Sequence, residues 1–225
     1  MVHDGSLVTQ ASILEEGMNK SWQTALQRTI AALGIGMAAW GVQAQSTDPL
    51  VVGEVVARDR CAVCHGPCGQ SVAPNFPRLA GQNAQYLARQ LHAFASGERK
   101  STAMSEKVKG LSPSDIEAVA EYYARQKPGH TPSGDELLLS VGRFVYERGN
   151  RHTGLPPCAT CHGPGAAGTT ELPRLAGQHP QYIMRQVQAF KQGSGARDNA
   201  IMRVMSHRLS DLELEAVAAY LGNLK

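Results

Sequence analysis

The sequence predicts an all-α protein of two tandem units. A block of about 97 residues occurs twice, and apolar residues in both copies recur at helical spacing. No stretch alternates apolar and polar residues over the length of a strand. The chain has 225 residues, of which 18% are charged and 42% hydrophobic, which excludes a disordered polymer. A formal charge of +3 with no basic cluster gives no case for nucleic acid. Five cysteines are too few for a disulfide scaffold and suit a more specific use.

The elements follow in order. Residues 29–42 are an uncharged apolar run behind Lys20 and Arg28, and Val42-Gln43-Ala44 ends it with small residues. This reads as a signal peptide, 18–44, cleaved after Ala44. The run is too short for a membrane span, which needs about 20 residues. Residues 1–17 carry Asp4, Glu15 and Glu16 where a signal is positive, and Met18 opens a cleaner one, so 1–17 reads as a start-site extension. Removal of 1–44 leaves the mature segment slightly more positive than the whole chain and takes away Trp22 and Trp40. Few aromatic side chains then remain to fill two cores.

The mature segment divides into 45–128 and 129–225 at the Pro- and Gly-rich stretch from Gln126 to Gly134. Three helices are expected in the first unit: 49–59 behind Asp48, 83–96, and 112–125, which opens Ser-Pro-Ser-Asp. Their counterparts are 135–147, 180–192 and 210–222. Each half is small enough that side chains alone make a marginal core.

The chemistry lies in Cys61-Ala-Val-Cys64-His65 and Cys158-Ala-Thr-Cys161-His162. C-x-x-C-H is the attachment signal of haem c. Two thiols one helical turn apart can add to the two vinyl groups of one haem, and the next residue offers an imidazole to the iron. Zinc also takes Cys and His. However, adjacent Cys64 and His65 are poorly placed to share one ion, and the second copy has Gly165 where the first has Cys68. A disulfide within each motif leaves the histidines unexplained. The reading is two covalently bound haem c groups, with iron held by His65 and His162.

A sixth iron ligand has to come from downstream. Met104 lies seven residues before Leu111, and Met202 lies seven before Leu209. Both are expected in loops before the last helix. Met205 matches Lys107, so the repeat favours Met202, with Met205 the alternative. Met184 reads as core. His92, His130, His152, His179 and His207 have no iron-binding counterpart in the other copy and read as surface or packing residues. Cys68 reads as a buried small hydrophobe, with an oxidation-prone thiol that pairs with another chain as the alternative.

The repeated CxxCHG, PRLAGQ, QY-x-x-RQ-x-x-A-F and Met-x6-L-S-x4-E-A-V-A-x-Y segments together resemble the diheme cytochrome c4 family of class I c-type cytochromes. The resemblance covers nearly all of 45–225. It implies two tandem class I cytochrome c domains related by pseudo-two-fold symmetry. It implies that Pro77 and Pro173 offer backbone carbonyls to the ring N–H of His65 and His162, and that Leu79 and Leu175 pack on the haem faces. The helices bearing Tyr122 and Tyr220 should cross the first helix of each half.

The family further implies a periplasmic electron carrier, soluble or loosely held at the inner membrane, between a quinol-oxidising cytochrome bc complex and a terminal oxidase. Two filled axial positions leave no open iron, so no catalytic residue is expected. A diheme peroxidase would need an open iron. A cytochrome c subunit of a periplasmic dehydrogenase complex would carry the same motifs and is the alternative. A zinc-binding module would carry no haem.

Overall fold

The computed structural model describes residues 47–193 and 199–225. The signal peptide and the start-site extension expected from the sequence lie outside the described residues. The first half runs α1 (Pro49–Val56), a π-helical turn (Ala57–Cys61), α2 (Ala62–His65), a short 3₁₀ turn (Pro67–Gly69), α3 (Ala84–Ser96), α4 (Thr102–Val108) and α5 (Pro113–Ala124). The second half runs α6 (Glu136–Arg148), α7 (Ala159–His162), α8 (Pro180–Gln192), α9 (Ala200–His207) and α10 (Asp211–Asn223). No strand occurs among the described residues. An isolated antiparallel bridge joins Asn150 and Leu155. No described helix is long and apolar enough to cross a membrane.

Local chemistry sets the helix ends. Ser112 caps α5 and Ser210 caps α10, each in a reciprocal capping box with Asp115 or Glu213. In the first box, Asp115 N–H donates to Ser112 Oγ at 3.1 Å and Ser112 N–H donates to Asp115 Oδ2 at 2.9 Å.

In each half the last helix crosses the first. The crossing is tight because a glycine sits at the contact. A Cβ on Gly53 would meet the Ala118 carbonyl, and one on Gly142 would meet the Ala216 carbonyl. The backbones therefore touch where larger residues would hold them apart.

Two cores result. The first contains Ala57, Leu87, Ile116, Val119 and Tyr123, and the second contains Val145, Tyr146, Leu155, Ile183, Val217 and Leu221. Met184 packs on the second core.

The halves differ in one connection. Cys61 stands eight positions after Gly53, but Cys158 stands sixteen after Gly142. In the first half the π-helical turn runs straight into the cysteine motif. In the second a loop with the Asn150–Leu155 bridge intervenes.

The halves meet through reciprocal hydrogen bonds. Arg78 N–H donates to Gln178 Oε1 and Gln178 Nε2 donates back to the Arg78 carbonyl, both at 2.9 Å. Arg174 N–H donates to Gln82 Oε1 at 2.7 Å, and Gln82 Nε2 donates to the Arg174 carbonyl at 2.9 Å. Arg89 bonds the carbonyls of Thr170 and Glu171, while its counterpart Arg185 bonds those of Pro74 and Asn75. Residue i meets j and the equivalent of j meets the equivalent of i, which is the signature of a two-fold interface, here within one chain.

Two paired haem sites

In the first half, Cys61 closes the π-helical turn and Cys64 and His65 ride on α2, one helical turn further on. His65 is only 6% exposed, and its Nδ1 lies 2.9 Å from the Pro77 carbonyl. A carbonyl oxygen can only accept, so the proton is on Nδ1 and the lone pair of Nε2 is left for a metal. In the second half, Cys158 precedes α7 and His162 ends it. His162 Nδ1 donates to the Pro173 carbonyl at 3.3 Å. Burial pulls both imidazoles below the usual histidine range, against the opposing pull of the carbonyl bond. Both rings are thus neutral at pH 7, the form that binds iron.

The cysteines do not fit a thiolate site. Burial raises the Cys61 thiol and pushes Cys158 up to about 11, so neither is a ready thiolate. Among the described residues no three His, Cys, Asp or Glu side chains gather into a metal site. The donor set fits haem c instead: each short helix carries one thiol and the imidazole, a second thiol immediately precedes it, and a carbonyl fixes the imidazole proton. A buried phenol oxygen on Tyr123, without a hydrogen-bond partner, marks the first core as incomplete without a further group.

The remaining predicted residues fall as follows. Leu79 and Leu175 pack half-buried on the first and second cores. Met104 and Met202 are on helices, not in loops. Each is half-buried in the first turn, its N–H donated to the side chain of the capping residue, Ser101 or Asn199. Three apolar residues in Thr102–Val108 are too short a pattern to mark a helix against turn residues on both sides. The two methionines keep equivalent positions in the two halves, whereas Met205 packs on the second core.

Cys68 is exposed, contrary to the buried position expected for it. It sits in a left-handed backbone conformation (φ 58°) in the 3₁₀ turn, and the Tyr122 hydroxyl reaches its sulfur at 3.8 Å. His179, which has no iron-binding counterpart, is 3% exposed and donates from Nε2 to the Ser71 carbonyl of the other half at 2.8 Å. Sequence reasoning did not find the interlocking of Arg78, Gln82, Arg174 and Gln178. The repeated PRLAGQ carried the signal, but a repeat shows that residues recur, not that the copies meet.

The cytochrome c family profile matches residues 51–125 and 146–225, one stretch in each half. Cytochrome c4 of Azotobacter vinelandii is 36% identical over 177 residues, covering 73% of this chain and 84% of the relative. The crystal structure of reduced recombinant cytochrome c4 from Pseudomonas stutzeri aligns with a TM-score of 0.71 at 32% identity, over 78% of this chain and 98% of that one. The chain belongs to the diheme cytochrome c4 family. A third relative, the thiosulfate dehydrogenase electron acceptor of Thiomonas intermedia, is 40% identical over 72% of this chain and 77% of its own.

This cytochrome is an all-α pair of class I domains with two covalently bound haem c groups, and it is an electron carrier, not an enzyme. Bound haem supplies a one-electron couple. The chain supplies the neutral histidines, their orienting carbonyls and two small apolar cores.

Proposed function

We propose that the cytochrome carries electrons in the periplasm from a quinol-oxidising cytochrome bc complex to a terminal oxidase. Residues 18–44 act as the export signal, and 45–128 and 129–225 form the two haem domains. Cys61 and Cys64 hold one haem and Cys158 and Cys161 the other. His65 and Met104 ligate the first iron and His162 and Met202 the second, with Leu79 and Leu175 against the haem faces. His/Met ligation raises the reduction potential relative to two histidines and fills both axial positions. That suits transfer without bond chemistry.

One observation carries the reading. The residue after each histidine-orienting proline, Arg78 or Arg174, is bonded by main chain to a glutamine of the other half. The two sites are therefore fixed to one another, as electron exchange within one molecule requires.

The test is reduction of the purified diheme protein by quinol and bc complex, followed by reoxidation with oxidase-containing membranes. Both steps should run faster than enzyme turnover, and inhibition of the bc complex should stop the first. Failure of the first step removes the bc complex as donor.

A second donor is favoured by the likeness to the Thiomonas intermedia thiosulfate dehydrogenase electron acceptor. In that reading the chain is the cytochrome c subunit, or dedicated acceptor, of a periplasmic dehydrogenase. Reduction by thiosulfate with its dehydrogenase, and not by quinol, would select it.

A further inference from the structure

The two halves solve one packing problem in opposite ways. Beside the crossing, the first half places Ala57 at the start of the π-helical turn that continues its first helix and Tyr123 on its last helix, and the second half places Tyr146 on its first and Leu221 on its last. Each pair has one tyrosine and one smaller aliphatic residue, and the phenol moves from one side of the crossing to the other. The consequence is polar. Tyr146, with 0% exposure, donates to the Gly163 carbonyl at 2.6 Å and is satisfied. Tyr123, with 3% exposure, has a buried hydroxyl with no hydrogen-bond partner. A buried hydroxyl without a partner gives up its bonds to water for nothing, so such a group in a native fold points to an acceptor that completes it. Cys61 packs against the same core cluster as Tyr123. The phenol and the sulfur influence each other's proton affinity, burial being the larger influence on both.

We propose that the Tyr123 hydroxyl donates its hydrogen to the Cys61 sulfur once that sulfur is a haem thioether, and so raises the reduction potential of the first haem. The inference rests on attachment of haem at Cys61. The direction follows from the dipole. A donor hydrogen aimed at the thioether puts positive charge beside the ring and withdraws electron density from it, which disfavours Fe(III). In the second half the corresponding phenol, Tyr146, is committed instead to the Gly163 carbonyl. Tyr123 is thus a positioning residue for charge, and the two otherwise repeated sites acquire different potentials by a swap of helices.

The test uses the holoprotein and Tyr123→Phe, which keeps the ring beside Ala57. A redox titration, with the two couples assigned by NMR of each half, should show the first couple shifted downward and the second unmoved. Tyr146→Phe should leave the first couple unchanged. Resonance Raman of the carbon–sulfur stretch should show a shift on H/D exchange in the wild type that is lost in Tyr123→Phe. An unmoved first couple overturns the proposal. So does a shifted couple whose carbon–sulfur mode keeps its H/D shift, because the acceptor is then another atom. Peptide mass spectrometry separates this failure from a more basic one: Cys61 without haem overturns the attachment reading and this inference with it. If Tyr123→Phe does not mature, Ala57→Tyr/Tyr123→Leu copies the arrangement of the second half, and the same downward shift is expected.

Discussion

His65 and His162 each hold a proton on the nitrogen that faces a proline carbonyl, and that bond decides which nitrogen meets a metal. The nearby methionines differ in what their removal costs. Met202→Ala should abolish half of the weak far-red band that reports Met sulfur on ferric iron, leaving the share from Met104. Met205→Ala should leave the band whole and cost about 2 kcal/mol of stability through lost packing. The opposite pattern would make Met205 the ligand.

His179 carries a pH effect. Burial, and then the positive charge of Arg78, lower its pKa below the usual value of 6.5, against the bond to Ser71. The unfolded chain therefore takes up a proton that the folded chain refuses, and stability falls as pH drops below 6.5 until the lowered pKa is passed. His179→Asn, which copies Asn83 of the first half, should flatten that slope in chemical denaturation between pH 7 and 5. An unchanged slope would assign it to other groups. The cysteines and histidines were readable from spacing because attachment of haem c demands a local motif. His179 and Tyr123 were not, because their roles depend on atoms far away in sequence.

At the scale of the helix, most boundaries were legible. Ser112, Ser210, Asp135 and Asn83 stand at helix starts, and the expected spans fall within one or two residues except at the end of the first helix. There the spacing suggested one regular helix to 59, but the chain widens into a π turn from Ala57 to Cys61. Such a turn delivers Cys61 without a loop. A widened turn has no periodic signature over five residues, so the sequence could not announce it.

The short α4 and α9 escaped for the same reason of length. The glycines at the crossings give a test at this scale. Gly53→Ala and Gly142→Ala should each destabilise by about 3 kcal/mol, since the new methyl meets a backbone carbonyl that cannot step aside. A lower denaturant midpoint with an unchanged slope would show it. A midpoint within error of the wild type would mean that the helices part easily.

For the whole molecule, the pairing of the halves rests on polar atoms that no hydrophobic pattern reveals. Gln82 and Gln178 are 7% and 8% exposed, and each binds both main-chain polar groups of an arginine in the other half. Replacing either by Ala strands those groups, at about 1–3 kcal/mol each if they stay buried. Gln82→Ala/Gln178→Ala should therefore split thermal unfolding of the holoprotein into two calorimetric transitions where the wild type shows one. A single transition in the double variant would show that the remaining bonds between the halves, those of Arg89, Arg185 and His179 among them, suffice to couple them.

The reciprocity of these bonds has one more consequence. A self-complementary face on two separate polypeptides would assemble only as their abundance allowed. The short connection from Gln126 to Gly134 turns that meeting into an event inside one chain, at an effective concentration in the millimolar range. Exchange between the two sites then becomes first order, with the same rate whether the cell holds ten copies or ten thousand.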